Sequence, residues 1–182
     1  MALLMLKCMR TLPPLILAAI VALLTTTTLK AQTLKFGDES FTLSGKEADL
    51  EKIENDYLPN GETETNWSQK LVLTRFPTAT DITTFANNLC AAINTQRPGT
   101  GASVLRFGSD CYLAYSVTSS VGSGQLTMVH RILIDPQGGV RSYVFAQRPS
   151  VSKPANTQAT IGRDQCIQAL GRLSPIIQLT HN

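Results

Sequence analysis

"QLTMVHRILIDPQGGVRSYVFAQ", residues 125–147, decides the fold. Its first half sets Leu126, Met128, His130, Ile132 and Ile134 on one face of an extended chain, and Val129, Arg131 and Leu133 on the other. Asp135-Pro136-Gln137-Gly138 then reads as a tight turn, because proline presets one φ and glycine tolerates a positive one. "GVRSYVFAQ" resumes the extended pattern. Strands joined this closely run antiparallel.

Upstream, "SVLRF" and "CYLAYSVTSS" continue the meander, separated by the glycine-bearing turns "GSD" and "VGSG". Before them lies "TATDITTFANNLCAAINTQRPGTG" (78–101), in which Ile82, Phe85, Ala86, Leu89, Cys90 and Ile93 form one apolar helical stripe. Thr78 reads as the cap of this helix, with Asp81 three residues on, and Pro98-Gly99 ends it. "WSQKLVLTRF" (67–76) reads as a strand. "SGKEADLEKIENDYLPNGE" (44–62) is ambiguous. Ser44 and Glu47 have capping-box spacing that suggests a helical turn or two, while Ile53 and Tyr57 share a face in either a helix or a strand. Downstream, 148–162 reads as a proline-rich polar loop, and "RDQCIQALGRL" as a short helix closed by Pro175. The expected fold is α+β: an antiparallel sheet of about five or six strands, covered on one face by the long helix and the short C-terminal helix.

The first 31 residues read as an export signal rather than as fold. Lys7 and Arg10 precede an apolar run from Leu12 to Leu24, and Ala31 offers a small residue at a cut. Met9 is an alternative start, and retention as an uncleaved anchor is the alternative to cleavage. The run is short for a membrane span, which needs about 20 apolar residues. The remaining 32–182 make one domain of ordinary size, expected in the periplasm or secreted.

Three of the 16 basic residues lie in 1–31 with no acid, so the formal +3 belongs there and the rest of the chain is neutral, 13 against 13. A nucleic-acid partner is therefore not expected. Charge is nonetheless uneven: residues 36–64 hold nine acids and two lysines, whereas 65–182 hold ten basic residues and four acids. Either the two segments neutralise each other, or Arg131, Arg141 and Arg148 with the 148–162 loop form a basic face for an anionic partner. Trp67, the only tryptophan, reads as an anchor at the sheet edge or as an interaction residue.

Cys90, Cys111 and Cys166 allow one disulfide and one leftover thiol in an oxidising compartment, with Cys90–Cys111 the favoured pairing. No zinc, haem or Cys-x-x-Cys spacing occurs, so neither metal nor cofactor is expected. His130 alternates with apolar neighbours and reads as a hydrogen-bonded sheet histidine rather than a catalytic base; His181 is the penultimate residue. No nucleophile elbow or phosphate loop is present, and catalysis is not expected.

Pro59, Gly61, Thr63, Trp67 and Ser68, followed by Tyr143, Val144, Gln147 and Arg148, form a Pro-x-Gly-x-Thr-x-x-x-Trp-Ser turn and a late Tyr-Val-x-x-Gln-Arg strand. In these the chain resembles a family of small exported bacterial proteins of unknown function, and its element order is similar to the PsbP-like and DcrB-like envelope folds. The resemblance implies location and fold and supplies no catalytic residue. The function expected is a non-catalytic binding or assembly role in the bacterial envelope, with another envelope protein as partner. A periplasmic inhibitor of a secreted toxin is the alternative, and a small hydrolase using His130 the third.

Overall fold

The computed structural model describes residues 32–118, 125–148, 162–175, 177 and 179, all within one compact unit, Gln32–Asn182. The expected export signal in 1–31 and most of the 148–162 loop lie outside the described residues.

Among the described residues, eight strands and two helices follow one another: β1 (Thr33–Phe36), β2 (Glu39–Ala48), β3 (Ile53–Pro59), β4 (Gln69–Phe76), α1 (Ile82–Gln96), β5 (Ser103–Phe107), β6 (Asp110–Thr118), β7 (Gln125–Ile134), β8 (Val140–Gln147) and α2 (Arg163–Arg172). They build one eight-stranded sheet in the order β1-β2-β3-β4-β8-β7-β6-β5, antiparallel throughout. Two four-stranded meanders thus meet where β4 pairs with β8, and α1 is the link between them.

This corrects the expected five or six strands covered on one face. The strands beyond the five read from residue 67 onward are β1, β2 and β3, and the ambiguous 44–62 segment belongs to the β2–β3 hairpin and not to a helical turn. Asp49 makes that hairpin: one carboxylate oxygen accepts from the backbone N–H of Glu51 and of Lys52, both at 2.7 Å. These two donors hold its carboxyl below the usual range. Ser44 and Glu47, far from capping a helix, bond to Glu64 and Lys52 respectively. The period that mattered was the alternation of buried Ile53, Asn55 and Tyr57 along β3.

The helices lie on opposite faces. Ile82 and Ala86 of α1 pack with Cys111, Leu113, Ile132 and Val140, whereas Cys166 and Leu170 of α2 pack in a cluster with Tyr57, Leu71, Tyr143 and Phe145. Neighbouring residues such as Tyr112 and Leu113 serve different clusters because side chains alternate across a strand. The stripe on α1 is as expected, but its cap is Asp81, which accepts from Thr84 N–H at 2.6 Å, so the helix starts three residues after Thr78 would have placed it.

The β7–β8 turn forms as read. Gly138 N–H donates to Asp135 O, and Asp135 N–H to Gly139 O. Gly139 has φ +94°, and a Cβ there would lie 2.4 Å from the Phe76 carbonyl oxygen, so β4 and this turn touch backbone to backbone.

Candidate functional site

Because α1 packs mainly on β5, β6 and β7, it leaves a groove at its flank, over β3, β4, β8 and β7. The groove measures about 350 Å³. Phe76 of β4 and Phe85 of α1 meet at 4.7 Å between ring centroids and, with Leu89, make one wall. Val72, Met128 and Val144 make an apolar floor, and Glu54, Thr74, Ser142 and His130 supply the polar groups.

The strand register explains how these polar residues converge. Glu54 stands opposite Thr74, and Thr74 opposite Ser142, so the three form one row across β3, β4 and β8. His130 stands opposite Val144, one diagonal from Ser142 on the same face. Thr74 donates its hydroxyl to Glu54 at 2.9 Å, and Lys52 lies 3.6 Å from the other oxygen of that carboxylate.

Two polar atoms of the set have no hydrogen-bond partner among the described residues. The Ser142 hydroxyl and His130 Nδ1 are buried and make no hydrogen bond. The other imidazole nitrogen, Nε2, sits 3.3 Å from the Tyr115 hydroxyl, and the two rings stack at 5.6 Å. Burial pushes the His130 pKa down to about 4, so the ring is neutral at physiological pH. An unsatisfied buried polar group costs about 1–3 kcal/mol. Both lie on the wall of the groove, where water or a molecule entering it can supply the hydrogen bond.

The residues expected to bind fare differently. Arg131 and Arg141 do share a face, as one of the two open readings had it, but that face is covered: they are 8 % and 2 % exposed. Arg131 pairs with Asp110 at 2.7 Å and donates to the carbonyls of Leu170 and Leu173 at the end of α2. Arg141 pairs with Asp135 at 2.6 Å and donates to the carbonyls of Pro175 and Ile177. The basic face is thus corrected to a pair of internal bolts. Each guanidinium satisfies carbonyls at and beyond the negative end of α2 and carries its own carboxylate with it.

Trp67 and Arg148 do come together. The guanidinium lies 4.1 Å over the indole centroid and Nε donates to Trp67 O at 2.7 Å. Glu62 accepts from Ser68 N–H and its hydroxyl, so the Pro59–Ser68 turn is tied to the end of β8 by Arg148 and closed on itself by Glu62. Trp67 thus makes the contacts expected of a sheet-edge anchor.

The structure holds no disulfide among the three candidate cysteines. Cys90, Cys111 and Cys166 carry thiols. Cys166 belongs to the α2 side and Cys111 to the α1 side, with the sheet between them. Cys90 shares the cluster of Cys111 but directs Sγ to the Ala102 carbonyl at 3.3 Å. Burial raises the Cys166 thiol to about 11.

Sequence reasoning singled out His130 but missed Ser142, Thr74 and Glu54. The signal was present as polar residues interrupting strand faces, yet only the β3–β4–β8 register aligns them. Among the described residues, no cluster of His, Cys, Asp and Glu could hold a metal ion, and no helix is long and apolar enough to cross a membrane. No protein-family model, curated protein or solved structure matches the chain, so the resemblance drawn from its turn and strand motifs rests on those motifs alone.

Proposed function

We propose that this protein is an exported, non-catalytic binding protein of the bacterial cell envelope, and that the groove beside α1 is where it binds. One observation carries the reading: Ser142 Oγ and His130 Nδ1 are buried without partners on the wall of an apolar groove of about 350 Å³. Small-molecule sites are of this kind, mostly apolar with a few placed polar groups, and begin at roughly 300 Å³.

The electrostatics favour binding over hydrolysis. A general base works best with a pKa near the operating pH, and His130 is held at about 4 by burial. Nor does Ser142 hydrogen-bond to it, as an activated nucleophile would. The export signal read in residues 1–31 supports the location.

Leu89 lines the groove from α1, and Leu89→Trp would fill it. The expected result is that native mass spectrometry of protein purified from the envelope fraction shows a small bound mass, absent from Leu89→Trp protein of unchanged circular dichroism. Identical mass profiles for the two proteins refute the assignment of the groove. Finding the intact chain in the cytosolic fraction refutes the location.

A further inference from the structure

Resting on that reading, we infer that the groove takes an uncharged amphiphile: an apolar chain or ring carrying one head group, hydroxyl or amide, that both donates and accepts hydrogen bonds. At roughly 30 Å³ for each water-sized group, the groove holds on the order of a dozen non-hydrogen atoms.

The head-group chemistry follows from what faces the groove. Ser142 presents a hydroxyl that can donate and accept. His130 is neutral and shares Nε2 with Tyr115, so Nδ1 offers a single hydrogen bond, as donor or acceptor according to tautomer. A hydroxyl or amide completes both partners in either case. A carboxylate only accepts, finds no Lys or Arg among the lining residues, and would share the groove with Glu54. An ammonium only donates. The carboxylate it would seek is already engaged by Thr74 and faces Lys52. Burying either ion without a full partner is costly, whereas a neutral head gains the two hydrogen bonds the empty protein lacks.

Four probes of one chain length separate the possibilities: 1-octanol, octanamide, octanoate and octylamine, titrated into the purified protein and followed by ¹H–¹⁵N spectra and calorimetry. The expected order places 1-octanol and octanamide at least about tenfold tighter than either ion, with resonances of β8 and β7 shifting. Ser142→Ala should weaken 1-octanol by about fivefold, the equivalent of one net hydrogen bond. Leu89→Trp should abolish binding of all four.

If octanoate or octylamine binds tightest at the groove, the head-group assignment is overturned while the groove remains a binding site. Unchanged 1-octanol affinity in Ser142→Ala overturns it too. If no probe binds, or all bind Leu89→Trp equally well, both the ligand class and the groove fall.

Discussion

Asp135 is the residue on which the α2 face turns, and Asp135→Asn tests that directly. Its carboxylate is fully buried, 2.6 Å from Arg141 Nη2 and 2.8 Å from Nε, with Arg75 Nε at 3.4 Å. Its other oxygen accepts from Gln137 N–H at 2.7 Å. Asparagine keeps the volume and the acceptor for Gln137, so the turn survives, while the charge is lost and an amide NH2 replaces the oxygen that accepts from Arg141. Two guanidiniums then face each other across a neutral amide, and Arg141 is nearly buried. Removing one partner of a buried pair costs about 3–5 kcal/mol. Such a loss is a large share of a typical domain's 5–15 kcal/mol. For a domain of this size it lowers Tm by roughly 6–20 °C, at 2–4 °C per kcal/mol. Urea unfolding, monitored by circular dichroism and by the single tryptophan, should show a lower midpoint with an unchanged slope. Because Arg141 also holds the carbonyls of Pro175 and Ile177, amide exchange just beyond α2 should quicken first. Adding Arg141→Met should cost less than the sum of the two single changes, since the stranded charge is then gone. A loss below about 1 kcal/mol for Asp135→Asn would refute the account of this pair as the bolt of the face.

Acid should find His130. Its pKa is about 4 folded against 6.5 in its ordinary state, so the folded protein binds fewer protons; stability is full above pH 6.5 and falls as pH drops toward 4. By pH 4 the loss amounts to about 3 kcal/mol, and His130→Phe should remove that part of the slope; parallel pH profiles for the two proteins would contradict the burial argument. Ser142→Ala deletes an unpartnered buried hydroxyl and should raise stability by about 1 kcal/mol in urea titrations, where destabilisation would mean that the hydroxyl has a partner. Among Cys90, Cys111 and Cys166, iodoacetamide at pH 8 should label only half-buried Cys90 in the native protein, and mass mapping without reduction should find three thiols. Recovery of a Cys90–Cys111 bridge would overturn the second part.

The Ser142 prediction also bears on why such a residue stands on a central strand. A folding optimum would place valine or alanine there, as Val140, Val144 and Ala146 show along the same strand face. A polar residue that costs stability at a groove wall is what the proposed binding role would require of Ser142.

How much of this was legible beforehand can be seen residue by residue. The β7–β8 hairpin and the stripe of α1 follow from local rules: a proline–glycine turn, a period of two, and a period near 3.6. Those rules act over a few residues, and the chain itself settles them. The 44–62 segment is ambiguous from sequence because Ser44 and Glu47 match a capping box while Asp49 makes a turn; pairing of β3 with β4 resolves the conflict.

What only the tertiary structure decided is the meeting of distant segments. β4 and β8 pair across more than sixty residues, and that register alone lines up Glu54, Thr74 and Ser142. Arg131 and Arg141 read as surface charges because arginine usually is exposed. They are internal because Asp110, Asp135 and the carbonyls around the end of α2 come to them from elsewhere in the chain. Backbone preference is a property of neighbours in sequence, whereas burial and hydrogen-bond satisfaction belong to neighbours in space, and the site beside α1 is made of the latter.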